Sequence, residues 1–367
     1  MRILFDKEIP LFAEYCTQYS LDAFPFSHRD FTKELLDYYS PQALCIRSTT
    51  KITQEIIAGS CIEFIATATS GTDHIEKSII TSDSIHCVSA IGSNANAVAE
   101  YCISGILEYA HENEINVKEK TLGIIGYGNV GQRLALYASL LGMNIIAHDP
   151  PRQEKGLPFF HEHNDFLSVL KNADIISFHV PLHTSSHHST FHYINNSNVS
   201  LLQSSQLLIN AARGSIIDEN CLQHNQNIPT LLFDTWEHEP NILLSLAKKC
   251  FIATPHSAGY TKNAKENATK TIVIHLLDYI GKHSHFAHTH YDITHNTSSL
   301  QASETTEHLL STSAETARIM LSESRKLISR SNDFVHNSSI VHRIETSHFD
   351  YHRNLCLKDE ELLEFVL

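Results

Sequence analysis

Short apolar runs alternate with amphipathic stretches along most of the chain. Arg2–Phe5, Ala43–Ile46, Glu63–Ala66 and His86–Val88 are rich in aliphatic side chains and bounded by polar or turn-forming residues, which predicts buried parallel strands. Between them, Ile52–Ala58 predicts a helix, so residues 1–95 read as one α/β domain. A longer helix is predicted over 94–110, with Val98, Cys102, Ile106 and Tyr109 on one face. From Thr121 the alternation resumes with strands at Leu122–Ile125, Ile145–His148, Ile175–Phe178, Leu207–Asn210, Thr230–Phe233 and Phe251–Ala253. Strands at this spacing, each followed by helix or loop, predict a doubly wound parallel sheet over 96–260. A helix carrying Ile272, Leu276 and Tyr279 on one face falls within 261–284. Beyond it His, Ser and Thr dominate, and 285–367 reads as a small C-terminal module with helical stretches at 304–330 and 358–364.

One junction between a strand and a helix carries a chemical signature. Thr121–Ile125 runs into Gly126-Tyr127-Gly128-Asn129-Val130-Gly131, and Val130, Leu134, Tyr137 and Leu141 then follow at helical spacing. Gly126 suits the tight turn, Gly128 lets backbone approach a pyrophosphate, and Gly131 lets the helix lie close to the strand. The N–H groups of that helix start would face the phosphates. The next strand ends at Asp149, where a dinucleotide fold places the acid that binds the adenosine ribose hydroxyls and repels a 2′-phosphate. The expected cofactor is therefore NAD.

Charge narrows the partners. A net charge of −14 argues against nucleic acid, which needs a basic face. No apolar run is long enough to span a membrane, and Met1–Leu11 carries Arg2, Asp6, Lys7 and Glu8, unlike a signal peptide. The eight cysteines are scattered without a CxxC pair, as expected of free thiols in the cytoplasm. Twenty-six histidines include the clusters His161/His163, His187/His188 and His283/His285/His288/His290. None is spaced with cysteines as zinc ligands are, and no metal site is expected.

Three other strands of the second domain end in polar residues. They lead into Asn210-Ala211-Ala212-Arg213-Gly214, Asp234-Thr235-Trp236-Glu237-His238-Glu239-Pro240 and Thr254-Pro255-His256-Ser257-Ala258-Gly259-Tyr260. All belong to the carboxyl edge that carries the glycine turn, where such sheets bind ligands. Together they supply a guanidinium, a carboxylate and an imidazole. Oxidising an alcohol beside a carboxylate needs those three: a base for the hydroxyl proton, a fork for the carboxylate, and an acid to orient the base. In the first domain, Arg47-Ser48-Thr49-Thr50-Lys51 and Thr67-Ala68-Thr69-Ser70-Gly71-Thr72-Asp73 also follow strands directly. The first offers two cations and three hydroxyls to an anion.

These motifs resemble the D-isomer-specific 2-hydroxyacid dehydrogenases. The resemblance implies Arg213, Glu239 and His256 as catalytic residues, an NAD-binding Rossmann domain, and an α/β flavodoxin-like substrate domain over 1–95. Further matches at 45–51, 67–74, 149–152 and 256–261 narrow it to a branch acting on a phosphorylated four-carbon hydroxy acid. They imply substrate contacts from Ser48, Thr69 and Tyr260, to which the charge argument adds Arg47. Cofactor contacts are implied for Asp149, Ala211, Arg213, Asp234 and Gly259. With them go Gly126, Gly128, Asn129, Val130 and Gly131 of the glycine turn, and Ala212. Val180 stands where the family usually has threonine, so a contact there falls to backbone. In this family a C-terminal dimerisation domain follows, and 349–354 matches it faintly, which makes a homodimer the expected state. Two other readings remain open: a dehydrogenase of glycerate, phosphoglycerate or lactate, and a corepressor-like NAD(H) sensor on the same fold.

Overall fold

The computed structural model describes residues 1–184 and 187–281. The expected C-terminal module and its helices at 304–330 and 358–364 lie outside the described residues. The described chain forms two compact units, one from 1–94 with 262–281 and the other from 95–261.

The first unit is built on five parallel strands: β1 (Arg2–Asp6), β2 (Asp22–Phe26), β3 (Ala43–Ile46), β4 (Phe64–Thr67) and β5 (His86–Ser89). Their order, β2-β1-β3-β4-β5, is that of a flavodoxin-like sheet. Side chains alternate between two cores. Ile3, Phe5, Ala43, Cys45, Phe64 and Ala66 face one, while Leu4, Leu44, Ile46 and Ile65 face the other. The helix Lys262–Tyr279 contributes Ala268, Ile272, Val273, Leu276 and Leu277 to the first of these cores. Strand β2 was not expected. It is a half-exposed edge strand containing Pro25, and proline is tolerated only where no further ladder hydrogen bond is needed. The helix expected over 52–58 shrinks to Gln54–Ile57. Ile52 instead pairs with Ile75 in a parallel bridge, and the Thr53 hydroxyl caps the helix by accepting from Ile56 N.

The second unit carries seven parallel strands: β6 (Thr121–Ile125), β7 (Asn144–His148), β8 (Glu162–His163), β9 (Ile175–Phe178), β10 (Leu207–Asn210), β11 (Thr230–Phe233) and β12 (Ile252–Ala253). The order β12-β11-β10-β9-β6-β7-β8 is the expected doubly wound sheet, extended at one edge by the two-residue β8. Leu122, Ile124, Ile175, Leu207, Ile209 and Leu232 enter one core, and Ile125, Ile176, Phe178, Leu208, Leu231 and Phe233 the other. Burial on both faces explains why these strands read as unbroken apolar runs. The helix Ala95–Glu112 was expected to bury one face. In fact nearly every residue from Ala95 to Ala110 is buried, Glu100 and Glu108 included. All strands run parallel, and the order in which they are added reverses between β6 and β9, the switch point at which such sheets bind ligands.

Candidate active site

The glycine turn sits at the end of β6. Gly126 has φ 96°, and a Cβ there would lie 2.7 Å from the His179 carbonyl at the end of β9. At Gly131 a Cβ would come within 2.1 Å of the Gly126 oxygen, so the helix Asn129–Leu140 can pack this close only without a side chain. Gly128 differs, because a Cβ there would meet nothing within 4 Å. The backbone at Gly128 therefore opens onto free space, and no side chain caps the helix that starts beyond it. An open glycine and an uncapped helix start fit a pyrophosphate. Asp149, just past β7, accepts from Tyr127 N (2.8 Å) and caps the short helix Pro150–Glu154 by accepting from Arg152 N (3.0 Å). Its carboxylate is thus locked in orientation beside the turn. Arg152 is held locally: its Nε donates to the Pro158 carbonyl and its guanidinium lies over Tyr127 and Phe159. Val180 packs over the turn, with Cγ1 2.8 Å from the place a Gly126 Cβ would occupy.

Beyond β10, Asn210 pins the turn that carries Ala211, Ala212 and Arg213. Its amide donates to the Arg213 carbonyl (3.0 Å), and its oxygen accepts from Ala212 N (3.2 Å). The Arg213 NH1 donates to the Ala212 carbonyl (2.8 Å), which holds the guanidinium against its own turn. Gly214 lies on the backbone of Trp236, where a Cβ would approach to 1.9 Å. This contact joins the Arg213 turn to the loop beyond β11.

Asp234 organises the two remaining loops. Its buried carboxylate accepts from the Thr254 hydroxyl (2.6 Å), Ser257 N (2.8 Å) and Ala258 N (3.0 Å), and its carbonyl accepts from His256 N (2.7 Å). Asp234, an expected cofactor contact, makes these interactions with the loop 254–258, which leads into Gly259 and Tyr260. The Tyr101 hydroxyl donates to Thr254 (2.6 Å), and the Trp236 indole donates to the Thr254 carbonyl (2.9 Å). His256, held at φ 52°, then directs Nδ1 at Glu239 Oε2 across 2.8 Å. The other oxygen, Oε1, accepts from Trp236 N (2.9 Å). With Nδ1 donating to the carboxylate, Nε2 is the ring nitrogen left to exchange a proton, and both side chains are about a third exposed or less (33% and 26%).

In the first unit the expected anion loops follow the paired strands β3 and β4. Arg47 is not an uncommitted cation, because its Nε and NH2 bind the fully buried Asp6 at 2.9 and 3.3 Å. The ion pair's attraction and hydrogen bonds offset the cost of burying Asp6, and removing Arg47 would leave that charge uncompensated. Ser48 and Lys51 are exposed. Thr69 closes a chain in which His74 Nε2 meets Thr67 Oγ1 (2.9 Å), Thr67 meets Thr69 (2.8 Å), and Thr69 donates to the Gly71 carbonyl (3.0 Å). Burial pushes His74 down to about 4, so it is a neutral imidazole in this chain at pH 7.

Other residues around the site were not foreseen. Asp6, Tyr101 and Trp236 act through contacts between distant positions, and Glu219 and Glu237 form a buried carboxylate pair beside Glu239. Of the histidine clusters, His188 Nε2 lies 3.0 Å from the exposed Glu154, with His187 beside it. Cys16, Cys45, Cys102 and Cys221 are buried free thiols, whereas Cys61 is exposed.

The sheet order, the open turn at its switch point and a histidine–glutamate couple beyond neighbouring strands belong to the class of nicotinamide-dependent dehydrogenases. Residues 90–258 match the D-isomer specific 2-hydroxyacid dehydrogenase, NAD binding domain. The chain is 37% identical over 290 residues to erythronate-4-phosphate dehydrogenase of Proteus mirabilis, covering 78% of this chain and 76% of that one. It is 36% identical over 299 residues to the erythronate-4-phosphate dehydrogenase of Bacteroides thetaiotaomicron, covering 80% and 83%. In fold it is similar to D-lactate dehydrogenase of Aquifex aeolicus, solved with NAD and lactic acid (TM-score 0.61, 24% identity, 77% of this chain and 96% of that one). The chain belongs to the D-isomer-specific 2-hydroxyacid dehydrogenase family. It is an NAD-dependent oxidoreductase.

Proposed function

We propose that this enzyme oxidises 4-phospho-D-erythronate to 2-oxo-3-hydroxy-4-phosphobutanoate in pyridoxal 5′-phosphate (vitamin B6) biosynthesis, as a cytoplasmic homodimer. The Glu239–His256 couple carries the chemical part of this reading. The names of its relatives in Proteus mirabilis and Bacteroides thetaiotaomicron support the choice of substrate. In this scheme residues 1–95 bind substrate and 96–260 bind the cofactor. Gly126, Gly128, Asn129, Val130 and Gly131 hold the pyrophosphate, Asp149 the adenosine ribose, and backbone at Val180, Ala211, Ala212 and Gly259 the nicotinamide end. When bound, NAD supplies the acceptor for the hydride leaving C2.

The protein's own residues handle the proton and the charge. His256 Nε2 takes the C2 hydroxyl proton, and Glu239 receives the Nδ1 hydrogen bond and stabilises the imidazolium that results. Arg213 holds the C1 carboxylate through its planar fork and polarises the forming carbonyl. Asp234 contributes by fixing the loop from which His256 projects. The terminal phosphate is read by Ser48, Thr69 and the Arg47 loop, while Tyr260 contacts the substrate from beside His256. A net charge of −14 does not attract such an anion through the overall field, so these local donors must bind it.

The test is an NADH fluorescence assay with 4-phosphoerythronate, glycerate, D-lactate and 3-phosphoglycerate. The expected result is turnover with 4-phosphoerythronate well above the other three. Preferred turnover of one of the others would replace the substrate, and no turnover with any acid would favour an NAD(H) sensor.

A further inference from the structure

Against the turn that carries Glu237 and Glu239 lies a carboxylic acid that the reaction scheme does not use. Glu219 opens the short helix Glu219–Gln223 and is only 2% exposed. Its Oε1 accepts from Glu237 N (2.8 Å), while Glu237 Oε2 accepts in return from Glu219 N (3.4 Å). Glu237 Oε1 also meets His192 Nε2 at 2.5 Å, forming a second histidine–glutamate couple two residues from the first. Glu219 Oε2 is buried without a hydrogen-bond partner. An orphaned carboxyl oxygen destabilises a fold, and an amide or an apolar residue would avoid that cost.

We propose that Glu219 is a positioning residue for the reaction, bracing the 237–239 turn through its hydrogen bond and acting through Glu239 on His256 when it carries charge. This rests on the catalytic reading of His256 and Glu239. The groups acting on Glu219 are Glu237 and Glu239, with the Cys250 thiol also within its field. The neighbouring Asp218 carboxylate is turned to Cys221 N, capping the helix, and His192 reaches the cluster through Glu237. Burial first, and then the two like charges, push Glu219 up to about 7. It is therefore neutral in mildly acidic solution and anionic in alkaline solution. An added negative charge within the field of Glu239 favours the imidazolium that forms as His256 takes the substrate proton, so the ionised acid assists oxidation.

Glu219→Gln keeps an oxygen for Glu237 N but removes the charge. The turnover ratio of wild type to Glu219→Gln, measured in the oxidative direction, should be near one at pH 6. By pH 9 it should rise about three- to tenfold, the scale of one unit charge acting across a partly screened interior. A ratio constant across pH, whether at one or at a uniform loss, would overturn the proposal, since a brace alone acts equally at every pH. Thermal unfolding gives a readout independent of activity. A buried acid titrating near 7 holds a proton that the unfolded chain has already lost, so wild type should lose stability relative to the variant between about pH 5 and 8. Parallel melting curves would overturn the proposal even if wild type used none of the tested acids, which separates its failure from failure of the functional reading. Should Glu219→Gln not fold, Glu237→Gln serves instead. Removing that neighbouring charge should start the rise of activity at lower pH than in wild type, and an unmoved profile would count against the idea.

Discussion

Replacing His256 with alanine is expected to lower turnover by about 10²- to 10⁴-fold, the usual worth of general acid–base catalysis. Cofactor affinity should change little. The ring is held from two sides, by the bond of His256 N to the Asp234 carbonyl and by the Nδ1 bond to Glu239. Alanine removes the second while the loop keeps its three bonds to the Asp234 carboxylate. The glycine turn lies at the end of β6, outside this network, and should bind NAD as before. Steady-state kinetics and NADH titration of the purified variant separate the two effects. Lost cofactor binding would mean that the loop had collapsed, and retained turnover would remove His256 from the chemistry.

Arg213→Lys should cost about 10²- to 10³-fold in kcat/KM, on the scale of losing one donor to a developing oxyanion. Lysine preserves the charge, but one ammonium cannot offer two parallel N–H groups to a carboxylate. In this structure the arginine is also set in place by NH1 on the Ala212 carbonyl and by the Asn210 amide on the turn. A flexible lysine stem at the same position keeps only the second of these restraints. Wild-type kinetics in Arg213→Lys would show that charge alone suffices and that the bidentate picture is wrong.

Much of this was legible because both sheets are buried on both faces. Runs such as Leu207–Asn210 and Ala43–Ile46 read plainly as interior strands, and their ends pointed to the candidate site residues. Edges were harder. β2 contains Pro25 and half-exposed side chains, and β8 is two residues long, so neither presents an apolar run. The catalytic candidates were visible because strand ends of a doubly wound sheet collect at one edge. Their supports were not. Asp6 and Arg47 are 41 positions apart, and nothing local marks Asp6 as the group that takes up the arginine's charge. Glu219 looks like an ordinary first-turn acid after the capping Asp218, and only three-dimensional packing shows that water cannot reach it. Trp236 is the one tryptophan of the chain, yet its role in bonding the Thr254 carbonyl depends on β11 and β12 being neighbours.

Phosphate recognition is the central claim, and kcat/KM for 4-phosphoerythronate against plain erythronate tests it most directly. The phosphate contacts proposed above are Ser48, Thr69 and the loop of Arg47, whose charge is shared with Asp6. Charge-assisted hydrogen bonds to the phosphate should favour the phosphorylated acid by about 10²-fold or more, and Ser48→Ala should narrow the ratio. Equal use of the two acids by the wild-type enzyme would contradict this account and return the chain to the broader class of D-2-hydroxyacid dehydrogenases.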